Sequence, residues 1–330
     1  MQDFDFVAIG DITTDAFIKL SDAHLHKNDR EAERELCIRY GDKVPYDEVT
    51  LVPAVGNSPN ASVAAAKLGL KSALVASIGD DDFGREDLEA LEKAGVATDF
   101  VVKQAGKTSN YHFVLWFHAD RTILIRHEAF DYSLPDIGEP KWIYLSSAGE
   151  HSLPFHTEVA DWLDAHPDVK LGFQPGTFQM QAGVEKLSRL YKRSDIFFCN
   201  TDEARRILGS DEQKGDELAR MMHEIGPKIT VITDGPKGAY AYDGSDAFFM
   251  PTYPDPAPPY ERTGAGDAFS STVACAVALG LPLTEALRWG PINSAFVVQK
   301  IGAQAGLLSR EELLSKLEQA PEDYHPIKLN

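Results

Sequence analysis

Thr263-Gly264-Ala265-Gly266-Asp267-Ala268-Phe269 stands between a proline-rich loop and an apolar run, and no other stretch of the chain constrains the fold as tightly. Phe269, Val273, Ala276, Val277 and Gly280 follow at helical spacing, which puts the two glycines at the N-terminus of a helix. The first N–H groups of a helix lack intrahelical partners and the helix dipole is positive there, so such a turn binds anions. Glycines flanking Ala265 let the backbone close on a phosphoryl group. Asp267 would project beside the group in transfer, placed to accept a proton from an attacking hydroxyl. The plainer alternative is a simple turn in which Thr263 or Asp267 caps the helix, and spacing alone leaves both open. Two rival nucleotide fingerprints fail. A dinucleotide fold needs a third glycine where Phe269 stands, and Gly106-Lys107-Thr108 lacks the first glycine of a P-loop because position 101 is Val101.

Outward from this turn, short apolar runs alternate with helical patterns. Phe6-Val7-Ala8-Ile9-Gly10 reads as a buried first strand, and 72–79, 142–146, 170–173, 196–199 and 228–233 read as further strands. Helical spacing covers 60–70, 84–95, 156–166, 202–208, 265–279 and 284–300. Strands separated by helices imply a mostly parallel sheet covered on both faces. Two segments break the alternation. The stretch 16–52 is charged and irregular, and 97–128 reads as strand, with Tyr111, Phe113, Leu115 and Phe117 on one face and His112, Val114, Trp116 and His118 on the other. A main α/β domain of 1–15, 53–96 and 129–330 is therefore expected, with 16–52 and 97–128 forming a small sheet that is a lid over a site, a dimerisation surface, or both. Pro251 to Pro259 read as a loop rather than a linker.

Composition narrows the function. The 330 residues are 43% hydrophobic and 25% charged, as in ordinary globular chains. Acidic residues outnumber basic ones by 51 to 32, for a formal charge of -19, and a surface that negative disfavours nucleic acid and anionic membranes as partners. No apolar run approaches the ~20 residues of a membrane span. The acidic start, Met1-Gln2-Asp3-Phe4-Asp5, does not resemble a secretory signal. Cys37, Cys199 and Cys275 are too few for a disulfide framework and lack metal-ligand spacing. A cytoplasmic enzyme is the expectation.

Taken together, the motifs resemble those of the ribokinase/PfkB carbohydrate kinase family. Gly264-Ala265-Gly266-Asp267 is similar to its C-terminal signature. Gly56-Asn57-Ser58-Pro59-Asn60 resembles the early glycine/asparagine motif, and Ile78-Gly79-Asp80-Asp81-Asp82-Phe83-Gly84 the element after it. Asn200-Thr201-Asp202-Glu203 resembles the Asn-x-x-Glu motif, Thr233-Asp234-Gly235-Pro236-Lys237-Gly238 the nucleotide loop, and Ile301-Gly302-Ala303 the segment near the C-terminus. Six marks in order along almost the whole chain make the resemblance specific.

The resemblance implies a ribokinase-like three-layer α/β sandwich with a small β-sheet lid, and ATP-dependent phosphorylation of a hydroxyl on a sugar. It implies Asp267 as base and the N–H groups of Gly264, Ala265, Gly266 and Asp267 as an anion hole. Thr233, Gly235, Gly238 and Asn293 would bind the nucleotide, while Asn200 and Glu203 would hold hydrated Mg²⁺, a hard cation that keeps its waters. The plainer role of that pair is a helix cap and a first-turn acid. Asp15, Gly56, Asn57 and Asn60 would bind the acceptor. Tyr111, Phe113, Trp116 and Phe117 would favour a nucleoside if they face the cleft. Departures concern the acceptor: Val55 replaces a glycine, Asn57 a lysine, and Phe173-Gln174-Pro175-Gly176 an Asp-Pro-Asn segment. Glu261 replaces an aspartate beside the loop that holds a monovalent cation such as K⁺ in many members. Arg30, Arg34, Arg39 and Lys43 could meet a phosphorylated acceptor. The alternatives are a nucleoside kinase, a sugar-phosphate kinase and a non-catalytic sugar or nucleotide sensor; a homodimer through the lid fits any of them.

Overall fold

The computed structural model describes residues 3–27, 34–118 and 120–330. Among these, ten strands form one sheet. From one edge to the other they are Ile327–Leu329, Ala247–Met250, Ala239–Tyr242, Ile229–Thr233, Ile196–Asn200, Lys170–Phe173, Trp142–Leu145, Phe6–Ile9, Ser72–Gly79 and Val101–Gln104. The seven from Ile229–Thr233 to Val101–Gln104 run parallel, and the three at the other edge are antiparallel.

The period of two along each strand builds the three layers. Phe6, Ala8, Leu74, Ala76 and Ile78 join one apolar cluster, with the helices Asn57–Lys67, Ala265–Ala278 and Leu283–Val297. Val7, Ile9, Ala73 and Val75 join the other, with Leu153–Ala165, Ser188–Arg193 and Gly215–Glu224. Both faces are thus buried, and the strands contain few polar residues for that reason.

A second sheet has the order Tyr46–Val55, Thr13–Leu20, Asn110–Phe117, Asp120–Leu124, and His24–Lys27 pairs with Arg34–Cys37 in a separate hairpin. The expected boundaries of the small sheet need correction. It takes in Thr13 to Asp15 and runs to Val55, while Val101–Gln104, expected in the lid, pairs in parallel with Ser72–Gly79 and closes the edge of the main sheet. Its inner face buries Val114 and Trp116, whereas Phe113 on the outer face is 45% exposed.

The two sheets meet at a tightly bonded junction. Ala54 has φ +58°, a left-handed conformation that costs a non-glycine residue about 1 kcal/mol or more. Its N–H donates to Asp87 Oδ1 at 2.6 Å, and its carbonyl accepts from Gln304 Nε2 at 2.6 Å. The Thr14 hydroxyl donates to the same Asp87 oxygen at 2.9 Å. Asp87 is fully buried, and burial, followed by the nearby Asp81 and Glu86 charges, pushes its carboxyl up to about 7 against the pull of these two donors.

Candidate active site

Gly264 begins the site. It is the N-cap of Ala265–Ala278 with φ 79°, and a Cβ there would collide with Ala303, so only glycine fits. No side chain caps this helix, contrary to the plainer expectation for Thr263 or Asp267. The first intrahelical bond is from the Ala268 N–H to the Gly264 carbonyl, and Ala265 N–H lies 3.5 Å from the Arg262 carbonyl. The N–H groups of Gly264, Gly266 and Asp267 have no hydrogen-bond partner among the described residues. Three of the four expected anion-hole donors are therefore uncommitted.

The Asp267 carboxylate, one turn in, is held by three amides. Asn57 Nδ2 donates to Oδ1 at 2.9 Å, Gln174 Nε2 to the same oxygen at 3.1 Å, and Asn60 Nδ2 to Oδ2 at 2.9 Å. The carbonyls of two of these amides are bound in turn. Gln304 Nε2 donates to Asn60 Oδ1 at 2.9 Å, and the Tyr144 hydroxyl donates to Gln174 Oε1, which fixes both amides donor-side toward Asp267. Burial raises the Asp267 carboxyl above its ordinary range, while Asn60, Gln174, the Arg121 charge and Asn57 draw it down. Asn57 and Asn60 thus support the carboxylate with the N–H groups that were expected to meet the acceptor. Gln174, Gln304 and Arg121 were not singled out as binding or catalytic residues, although the departure at Phe173-Gln174-Pro175-Gly176 marked the place of the first. Arg121, on the small sheet, brings Nε to 3.9 Å from Glu261 Oε1.

Two cavities meet at this turn. The larger, about 530 Å³, is lined by Thr233, Gly235, Gly238, Ala265 and Gly266 together with the proline-rich loop at Tyr253 and Pro254. Asn293 is not in its wall. It is fully buried, its amide donating to Thr272 Oγ1 at 2.8 Å and its carbonyl accepting from Leu308 N–H at 2.9 Å, so its expected nucleotide contact is replaced by a structural one; Pro291, Ser294 and Ala295 face the cavity instead.

The smaller cavity, about 280 Å³, brings Asp15, Gly56, Asn57 and Asn60 together with Asp267. Gly56 has φ 122°, and a Cβ there would crowd the Asp11 carbonyl. Asp15 is 7% exposed, and its Oδ1 is buried without a hydrogen bond, 3.4 Å from His112 Nδ1. His112, His127 and Phe178 supply the rings of this wall; Tyr111, Phe113, Trp116 and Phe117 do not line it. Tyr111 packs on Phe83, with ring centroids 4.7 Å apart, and Trp116 on Tyr260 at 5.1 Å. No lysine or arginine among the described residues lines this cavity. Arg39 is paired with Asp22 and Asp42 on the surface, and Lys43 is exposed. Arg30 and the Arg34 side chain lie outside the described residues.

Asn200 and Glu203 form a reciprocal cap on Thr201–Leu208: Glu203 N–H donates to Asn200 Oδ1 at 2.8 Å and Asn200 N–H to Glu203 Oε2 at 2.9 Å. Burial raises the Glu203 carboxyl, against the pull of its bond to Asn200, and the Asp267 charge adds to the rise. The described residues hold no cluster of three or more His, Cys, Asp or Glu suited to bind a metal, and no helix among them is long and apolar enough to cross a membrane.

A family model described as pfkB family carbohydrate kinase matches residues 28–310. The cytidine kinase of Thermococcus kodakarensis is 31% identical over 256 residues, 76% of this chain and 87% of that protein. The ribokinase of Bacillus subtilis is 27% identical over 270 residues, 79% and 87% of the two chains. The structure of Arabidopsis thaliana ribokinase complexed with ribose and ATP superimposes with a TM-score of 0.79 at 20% identity, covering 96% of this chain and 99% of that one. The folds are the same.

Proposed function

The chain belongs to the pfkB family of carbohydrate kinases, and from that premise we propose that it transfers the terminal phosphoryl group of ATP to a hydroxyl of an uncharged sugar. One observation carries this reading. The Gly264–Asp267 turn is the shared wall of both cavities, with free amide donors in it and the Asp267 carboxylate on the smaller side. A donor in the larger cavity and an acceptor in the smaller one would meet at a carboxylate and an anion hole.

In this mechanism Thr233, Gly235 and Gly238 border the nucleotide. Asp15, whose Oδ1 makes no hydrogen bond among the described residues and lies beside His112, is the carboxylate of the smaller cavity that would meet acceptor hydroxyls. Asp267 takes the proton of the attacking hydroxyl as its oxygen bonds to phosphorus and the bond to the ADP oxygen breaks. The raised carboxyl makes Asp267 a stronger base than an exposed aspartate, and the N–H groups of Gly264, Gly266 and Asp267 receive the charge that develops. Glu203 has one carboxylate oxygen outside the cap, and its mutual repulsion with Asp267 suits a nearby cation, so Asn200 and Glu203 are the residues to hold hydrated Mg²⁺. Bound there, Mg²⁺ supplies positive charge that offsets the phosphates. Glu261, buried with Oε2 unpartnered beside the same turn, is the residue that would answer to a monovalent cation such as K⁺.

The second reading is a nucleoside acceptor, favoured by the 31% identity to a cytidine kinase and by Phe178 and His127 in the wall. A sugar phosphate is disfavoured, because the carboxylates of Asp11, Asp15 and Asp267 line the cavity and no lysine or arginine among the described residues lines it. A non-catalytic sensor has no use for a carboxylate held by three amides between two cavities. The outer face of the small sheet exposes Val49, Leu51, Phe113 and Leu124, 45–52% accessible and carried on three of its four strands with Thr13–Leu20 between Leu51 and Phe113, and a second copy covering this face would form a homodimer. The deciding experiment measures ADP formation from ATP, and the corresponding products from GTP and ADP as donors, over ribose, fructose, cytidine, adenosine and fructose 6-phosphate. Turnover of a free sugar supports the proposal, and turnover of fructose 6-phosphate alone refutes it.

A further inference from the structure

Two imidazoles stand in the wall of the smaller cavity, each beside its own buried carboxylate. His127 Nδ1 lies 2.7 Å from Asp11 Oδ2, and Asp11 is 6% exposed. The Tyr132 hydroxyl donates to the same carboxylate, 2.9 Å from Oδ1 and 3.1 Å from Oδ2, and accepts the Gly149 N–H at 3.1 Å. Both oxygens of Asp11 are therefore engaged, and Asp11 itself has little left to offer an acceptor. The His127 ring stands edge-on to Phe178 with centroids 5.5 Å apart, and 5.3 Å from the ring of His112.

This arrangement fixes the imidazole more firmly than packing requires. A space-filling histidine needs no buried carboxylate, and among the described residues the cost of burying this one is offset only by the bonds it accepts from His127 and Tyr132. Nδ1 is committed to Asp11, so the tautomer and the ring angle are set, and Nε2 is the remaining polar atom of a ring that lines the same cavity as Asp267. An alcohol oxygen complements Nε2 in either protonation state, because a hydroxyl both donates and accepts. Ile123 and Ile125, 37% and 51% exposed in the same cavity, offer apolar contact but no such choice.

We propose that His127, held by Asp11 and Tyr132, is a specificity-determining residue that hydrogen-bonds through Nε2 to an acceptor hydroxyl other than the one phosphorylated. The pocket thereby selects uncharged polyols, free or as the sugar of a nucleoside, over their deoxy analogues. This rests on the kinase reading above.

The experiment uses the full-length protein and whichever acceptor of the panel it phosphorylates, with kcat and KM determined separately for acceptor and ATP. His127→Leu should raise the acceptor KM about tenfold or more, and leave the ATP KM nearly unchanged. His127→Gln, whose amide reaches the place of Nε2, should recover part of that loss. The deoxy analogue lacking the contacted hydroxyl should be penalised in the parent and no longer penalised in His127→Leu. If the leucine variant does not fold, Tyr132→Phe carries the test: the imidazole stays but its brace loosens, and the acceptor KM alone should rise. An unchanged acceptor KM, equal losses in the leucine and glutamine variants, or a parallel rise in the ATP KM overturns the proposal. A parent that phosphorylates no acceptor overturns the kinase reading and this proposal with it, whereas an active parent with unmoved variants overturns this proposal alone.

Discussion

Asp267 accepts three amide donors on two oxygens, and two of those amides, Asn60 and Gln174, are fixed in turn by Gln304 and Tyr144. Replacing it with asparagine keeps the shape but sets an NH₂ against amides that are themselves donors, and removes the proton acceptor. Asp267→Asn is expected to lower kcat by roughly 10²–10⁴-fold, with ATP binding retained and a modest loss of melting temperature. Steady-state kinetics beside a thermal melt would separate the two effects, and a kcat within a few-fold of the parent would remove Asp267 as base. Asp267 was legible in the sequence because Gly264-Ala265-Gly266 marks its helix start. Gln174, Gln304, His112 and His127 were not legible as site residues. A glutamine or histidine carries no periodic signature, and these four acquire their partners from strands and loops distant along the chain.

Two elements carry strain or crowding that mutation would reveal. The helix Ala265–Ala278 starts from a left-handed Gly264 pressed against Ala303. Gly264→Ala must move the turn or the Ala303 segment, at a cost of about 2–4 kcal/mol from backbone strain and overpacking. A lower melting temperature with impaired turnover is the expected result, and wild-type behaviour in both assays would mean that the turn tolerates a methyl group. At the junction of the sheets, Asp87 sits fully buried on the helix Asp82–Lys93. Its carboxyl, pushed up to about 7 from an ordinary 3.8, binds a proton more tightly in the folded chain than in the unfolded one. Its contribution to stability therefore falls as pH rises from about 4 to 7, and stays at the lower value above that. Asp87→Asn does not ionise, so its melting temperature should gain on the parent's by a few degrees between pH 5 and 8. A constant difference across that range would show that Asp87 ionises normally. Strands were easiest to read where both faces are buried, as at Ser72–Gly79 and Lys170–Phe173, whose bounds agree with the apolar runs. Ala239–Tyr242, Ala247–Met250 and Ile327–Leu329 escaped notice because three or four residues at a sheet edge leave too short a pattern.

For the molecule as a whole, the small sheet presents different chemistry on its two sides. Its outer face is apolar and exposed at Leu51, Phe113 and Leu124. Phe113→Glu with Leu124→Glu is expected to convert a dimer to a monomer, with little change in melting temperature measured at low concentration. Light scattering coupled to size exclusion checks this, and a parent that is monomeric at micromolar concentration would refute pairing through this face. Its inner side carries Asp15, His112 and Ile123 into the smaller cavity, while Asp267, Asn57 and Asn60 come from the main domain. The walls of that cavity therefore come from both sheets, which also meet at the bonds of Asp87 and Gln304 to Ala54. On the proposed kinase reading, a water molecule at Asp267 would meet the same base but, unlike a polyol, would be too small to reach Asp15 and His112 on the facing wall as well. The kinase reading therefore predicts that ADP forms from ATP far more slowly without acceptor than with it, and equal rates with and without acceptor would refute this consequence.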